Sequence, residues 1–166
     1  MQGHTATILN DQGRTQAVDL ADKLTTLGIS RIFTSDLKRA LQTAQIIALR
    51  LGVPVKTDQR LRECHFGELE GLTPAEASAL YRHPHFYPIT YSFYTSEREP
   101  YDFTALGGEN KSSVIKRHLE FLGDLKKEHS NETVLAVGHG TGLNTLLAVL
   151  GQEPSLKRGE LRFLEV

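Results

Sequence analysis

Two short segments rich in β-branched and apolar residues, Ile29 to Thr34 and Thr133 to Val137, each stop at a polar turn that leads into a segment of helical period. Runs of five or six residues rich in β-branched and aromatic side chains suit buried strands, not helices. Upstream of the first, Gly13 to Leu27 places Ala17, Leu20, Ala21, Leu24 and Leu27 at helical spacing, with Gly28 as a stop. Downstream, Ser35 or Asp36 can cap a helix whose apolar face is Leu37, Ala40, Leu41, Ala44, Ile47 and Ala48. Gly52 ends it, and Val53 to Thr57 suggests a short strand. A further helix starts at Thr73, with Pro74 at the first helical position and Glu76 three residues after the cap. Another runs from about Glu109 to Lys127. The glycine-rich turn Gly138 to Gly142 precedes a helix over Leu143 to Leu150, and Leu161 to Val166 reads as a closing strand. Strands alternating with helices predict an α/β fold: three α/β/α layers around a mostly parallel central sheet.

The 166 residues fit one domain, with no repeat or linker. Between residues 81 and 107 the period dissolves into prolines and most of the aromatics, the pattern of a variable lid or binding loop. A net charge of −1 provides no global field for nucleic acid or an anionic membrane. Any bound anion must therefore be held by a local cluster. The single cysteine, Cys64, excludes an internal disulfide and a cysteine-based zinc site. No apolar run approaches the ~20 residues that span a bilayer, and the start of the chain lacks the pattern of a signal peptide. A cytoplasmic location is expected.

Ligands of open α/β sheets sit beyond the carboxyl ends of the strands. There, Thr34 to Ala40 turns from strand to helix with Arg39 in the first turn, a ready anion site; a surface arginine is an equally good reading of the spacing. His139 stands between glycines straight after the second apolar run, where imidazole can act as acid, base, nucleophile or phosphate donor. His118 and His129 read as solvated helix positions, and His83 and His85 fall in the loop. From Leu61 to Gly71, three carboxylates (Glu63, Glu68 and Glu70) lie in eight residues, and composition cannot choose among them.

Ser35-Asp36-Leu37 with Arg39-Ala40 and Gln42-Thr43-Ala44 resembles a motif of the histidine phosphatase (phosphoglycerate mutase-like) superfamily. Leu61-Arg62-Glu63 with Phe66-Gly67 and Glu70-Gly71, then Gly107-Gly108-Glu109-Asn110, then Val137-Gly138-His139-Gly140, are similar to three further motifs in family order. The resemblance implies a phosphomonoester hydrolase for a small organic phosphate. Arg39 and His139 would hold phosphoryl oxygens, and Glu63 would protonate the leaving oxygen. Gln2, Gly3, Gly140 and Thr141 match pocket-lining positions. No metal and no cofactor is implied. The expected partner is a small phosphorylated substrate or inorganic phosphate, with a homodimer left open. The short interval from Gly71 to Gly107 favours a phosphatase over a mutase, and Phe86, Tyr87, Tyr91, Phe93 and Tyr94 could shape a pocket for an organic phosphate.

The resemblance also implies an Arg-His-Gly strand carrying a nucleophilic histidine, and these residues contain no such tripeptide. The start from Met1 to Ala17 resembles the family's next block. A rival register sets His4, Thr7 and Asn10 on the signature, but Gly3 then replaces the arginine and Thr5 the glycine. His4 is rejected as nucleophile. The expectation is a chain that lacks the first central strand, a loss of ~5–10 kcal/mol, and is weakly active or inactive. Ala6, Leu69, Asn110 and Asn144 depart from the family pattern, which puts substrate contacts near residues 140 to 144 in doubt. The alternatives are a catalytically inactive phosphate- or partner-binding remnant and, at longer odds, a nucleotide-binding module built on Gly138-x-Gly140-x-Gly142.

Overall fold

The computed structural model describes residues 1–80 and 101–165. Helix α1 spans Asp11–Leu24, strand β1 Ile29–Thr34, helix α2 Lys38–Leu51 and strand β2 Val55–Thr57. Helix α3 spans Pro74–Leu80, α4 Lys111–Glu128, strand β3 Thr133–Val137 and helix α5 Gly140–Val149. Both apolar runs are strands with the expected bounds. α1 starts two residues earlier than its apolar period because the Asn10 side chain accepts from Gly13 N, and it ends at Leu24, three residues short of the expected Leu27. α2 begins after Leu37, which makes no side-chain cap, while Ser35 Oγ accepts from Leu37 N at 3.2 Å. β2 is shorter than the expected Val53 to Thr57. Pro54 has no N–H to donate, although its carbonyl accepts from Ile32 N at 2.9 Å. α3 carries the expected capping box, with Glu76 accepting from Thr73 N at 2.8 Å.

Among the described residues the sheet has three strands in the order β2-β1-β3, all parallel. Its faces alternate with the pleat. Ile32 and Leu135 pack with Ala21, Leu24, Ala44 and Ile47 of α1 and α2. Phe33, Val134 and Ala136 pack with Phe121 and Leu125 of α4 and with Leu61. Helices therefore cover both faces, which gives the three layers and explains why the strands read as near-continuous apolar runs. A separate cluster of Cys64, Phe66, Leu69, Ala77, Tyr101, Phe103 and Val114 consolidates the segments that carry the remaining motifs. Among the described residues, no helix is long and apolar enough to cross a membrane.

Four expectations need correction. Residues 161–165 form no strand, and Val166 lies outside the described residues. The Asn144 side chain clamps both backbone groups of Leu156, at 3.0 and 2.8 Å, and a turn at Lys157–Glu160 then carries Gly159 against Gln16 of α1. Leu161 packs on the α1/α2 core while Phe163 is 71% exposed, so the tail belongs to the helical layer. The glycine-rich turn is shorter than expected, because Gly140, Thr141 and Gly142 are already the first turn of α5, with His139 at its N-cap. The end of the expected lid is core: Tyr101 and Phe103 are fully buried, and Asp102 bridges to Asn110. The rest of that lid, with His83, His85 and the aromatics from Phe86 to Tyr94, lies outside the described residues. Finally, His118 is fully buried, facing α5, and His129 is half-buried against Phe33.

Candidate active site

The carboxyl ends of β1 and β3 are joined where Ser35 N donates to Val137 O at 3.0 Å. β1 is the middle strand, between β2 and β3, and ligands of open α/β sheets sit beyond such strand ends. Three sequence-distant groups meet there.

His139 ends the β3 turn and is 8% exposed. Burial, with the charge of Arg39 next in weight, pulls its pKa down to about 3, so the ring is neutral. Its Nε2 is buried with no hydrogen-bond partner among the described residues. An orphaned ring nitrogen at a strand end is poised to meet something polar from outside the chain.

Glu63 reaches the start of α5. Its carboxylate accepts from Thr141 N at 3.2 Å, Gly142 N at 3.1 Å and Cys64 N at 2.9 Å. Free amides at a helix start favour an anion. Desolvation still dominates and raises the Glu63 pKa, while those three amides and Arg39 oppose it. A carboxyl that holds its proton unusually well, bonded to the first amides of a helix that His139 caps, is equipped for proton transfer. Glu70 serves a different end. Its Oε1 accepts from His4 N at 2.8 Å and Phe66 N at 3.1 Å, pinning the first residues of the chain. Glu68 is exposed.

Arg39, in the first turn of α2, is half-buried, and desolvation lowers its pKa against the charges of Glu63 and Glu70. Its Nη2 donates to Gly3 O at 2.7 Å, and its Nη1 to Thr5 O and Thr7 Oγ1, both at 3.2 Å. The guanidinium is therefore at the site, but its fork is turned onto the segment from Gly3 to Thr7. Gly3 is buried with φ +47°, and a Cβ there would lie 2.0 Å from Glu70 Oε1. Gln2 is exposed, and its carbonyl closes a turn by accepting from Thr5 N at 2.9 Å. Gly140 is exposed with open space around it, whereas Thr141 is buried with its amide on Glu63.

Residue types alone do not single out what holds Glu63 in place. Arg62 pairs with Asp36 at 2.7 Å, tying the Glu63 segment to the β1–α2 turn and holding the Asp36 carboxyl below its ordinary range. Gly67, at φ +58°, and Gly108 pack backbone to backbone, so a Cβ on Gly67 would sit 1.8 Å from Leu106 O. The signal for this contact lies in two glycine-bearing motifs whose partnership only the fold reveals. Burial pushes the Cys64 thiol far up, which leaves it inert beside the site. Among the described residues, no group of His, Cys, Asp and Glu could hold a metal ion. A cavity of about 200 Å³ lined by Arg31, Phe33, Val55 and Lys56 shares no residue with this cluster.

The family model of the histidine phosphatase superfamily (branch 1) matches residues 1–162. The phosphoglycerate mutase-like protein 4 of Arabidopsis thaliana is 38% identical over 88% of this chain and 61% of its own length. The glucosyl-3-phosphoglycerate phosphatase of Mycolicibacterium vanbaalenii is 34% identical over 90% of this chain and 66% of its own length, so the chain spans under two thirds of both relatives. Among solved structures, mycobacterial glucosyl-3-phosphoglycerate phosphatase with inorganic phosphate superposes with a TM-score of 0.74 at 31% identity, covering 90% of this chain and 72% of that one. The phosphoserine phosphatase of Entamoeba histolytica with 3-phosphoglyceric acid gives 0.71 at 30% identity, covering 93% and 73%. With its parallel sheet, its four motifs in order and a family match over nearly its whole length, the chain belongs to the histidine phosphatase superfamily.

Proposed function

We propose that this protein is a phosphomonoester hydrolase of the histidine phosphatase type for a small organic phosphate, and that these 166 residues turn over weakly because they hold no Arg-His-Gly nucleophile. The observation that carries the reading is the Glu63 carboxylate seated on the first amides of α5, the helix capped by His139, whose Nε2 has no partner among the described residues, and within the field of Arg39. Arg39 and His139 hold the equatorial oxygens of the phosphoryl group and stabilise the charge that grows there. Glu63, with its raised pKa, gives its proton to the leaving oxygen and then takes one from water. Against His4 as nucleophile, its Nε2 lies 2.8 Å from Glu63 O. The names of the relatives, glucosyl-3-phosphoglycerate phosphatase and phosphoserine phosphatase, favour small phosphorylated acids as substrates.

A second reading, phosphate or partner binding without turnover, is favoured by one observation. Arg39 donates to Gly3, Thr5 and Thr7, where a working site would have it meet substrate. Thermal unfolding with inorganic phosphate or orthovanadate tests the shared premise. Either anion at ~100 Kd should stabilise by about 2–3 kcal/mol, and Arg39→Ala and His139→Ala should abolish the effect. Absence of any stabilisation removes the phosphate site from both readings. Hydrolysis of p-nitrophenyl phosphate should be near background; turnover lost in His4→Ala would restore His4 as nucleophile.

A further inference from the structure

Arg117 of α4 belongs to none of the four motifs, yet its guanidinium uses every donor. Nε and Nη2 grip the two oxygens of Glu109 at 2.9 and 3.0 Å. Nη1 donates to Arg60 O at 2.7 Å and Arg62 O at 2.6 Å, and Nη2 to Glu63 O at 3.0 Å. Glu109 completes the clamp, accepting from His65 N at 2.9 Å while its own N–H donates to His65 O at 2.8 Å. One ion pair at the start of α4 therefore fixes the backbone on both sides of Glu63. Burial would raise the Glu109 carboxyl, but the hydrogen bonds and charge of Arg117 outweigh it and hold it ionised.

We infer that Arg117, locked by Glu109, is a positioning residue that aims the Glu63 carboxyl at the N-terminus of α5. Its hydrogen bonds reach neither the Glu63 side chain nor His139, so it acts through the backbone of residues 60 to 65. Three of its bonds go to carbonyls that accept from no backbone amide among the described residues, and a forked, five-donor cation is the side chain suited to gather them. This inference rests on the proposed role of Glu63 as proton donor.

The test follows the Glu63 carboxyl by carbon NMR in glutamate-labelled protein, assigned by its loss in Glu63→Gln. The groups facing it are the amides of Cys64, Thr141 and Gly142, the charge of Arg39, the Cys64 thiol, the Tyr101 hydroxyl and the His4 ring on Glu63 O, with His139 at the start of α5. In the parent, Glu63 should titrate above the ordinary carboxylate range. In Arg117→Ala it should fall by about one pH unit as the carboxyl swings toward water, with Arg117→Lys between the two. Arg31→Ala, which breaks a surface pair with Glu132, should leave it unchanged. Should Arg117→Ala fail to fold, Arg117→Lys decides. A folded Arg117 variant with the parent titration overturns the positioning role. An ordinary pKa in the parent overturns the reading of Glu63 itself, and so separates the two failures.

Discussion

The carboxylate of Glu63 lies 3.1 Å from the backbone nitrogen of Gly142, so the anion-binding start of α5 is occupied by a side chain of the protein itself. Seventy-nine residues separate the two, and the contact joins the loop after β2 to the helix after β3. It places a proton carrier against the strand end that bears His139, and it sets what the site should do as pH and sequence are changed.

Glu63 should make stability fall with pH. In the unfolded chain its carboxyl titrates near 4.5, and folding raises that value, so the fold favours the protonated form. The contribution is complete below pH ~4.5 and disappears as pH climbs through the folded pKa. Glu63→Gln cannot ionise, so its stability relative to the parent should improve from pH 4 to pH 8 in urea unfolding. A flat or reversed difference contradicts the raised pKa.

His118 acts in the other direction. Burial pulls its pKa down to about 4, and its Nδ1 is bonded to Val114 O at 2.9 Å. The neutral ring is favoured, so its contribution is intact above pH ~6.5 and is lost as pH falls toward 4. That loss amounts to roughly 2–3 kcal/mol. His118→Gln should flatten this part of the acid limb in thermal melts, and an unchanged limb would mean that the ring binds its proton equally well folded and unfolded.

The contact between Gly67 and Leu106 should tolerate no side chain. Gly67→Ala combines a left-handed φ with a Cβ 1.8 Å from a backbone oxygen, and Gly108→Ala places one 2.4 Å from His65 O. Each should cost about 3 kcal/mol or more, because backbone cannot step aside. Gly28, at φ +63° with open space around it, should lose only ~1–2 kcal/mol on mutation to alanine. Equal losses at Gly28 and Gly67 in chemical denaturation would show that the contact has no cost of its own.

Thr7 competes for the arginine that the site needs. Thr7→Val removes one acceptor of Arg39 Nη1 with little change in shape. Phosphate or orthovanadate should bind about 2–10-fold more tightly to the variant by calorimetry, corresponding to one hydrogen bond not broken. Weaker binding would mean that Thr7 helps to hold the anion.

What is legible in the sequence is what short-range chemistry fixes. Ile29–Thr34 and Thr133–Val137 announce themselves as strands because β-branched and apolar residues dominate five or six positions between turn signals. Thr73 and Glu76 write a helix start by their own hydrogen bonds, and Pro74 follows as the first helical residue. His118 misleads because a polar residue on a charged helix reads as solvated, and only the approach of Gly142 on α5 buries it. Leu161 to Val166 misleads because four of its six residues are apolar, while Asn144 and the turn after Leu156 deliver Leu161 to the α1/α2 core.

By itself, the sequence determined the alternation of strands and helices, their order, and the residue types at the strand ends, since each depends on neighbours within a few positions. Tertiary structure alone decided which of three carboxylates reaches the first amides of α5, which way Arg39 turns, and that Arg117 and Glu109 hold the Glu63 segment. Those outcomes follow from hydrogen bonds between residues tens of positions apart. Whether such a bond forms depends on the docking of whole elements, which no local pattern encodes.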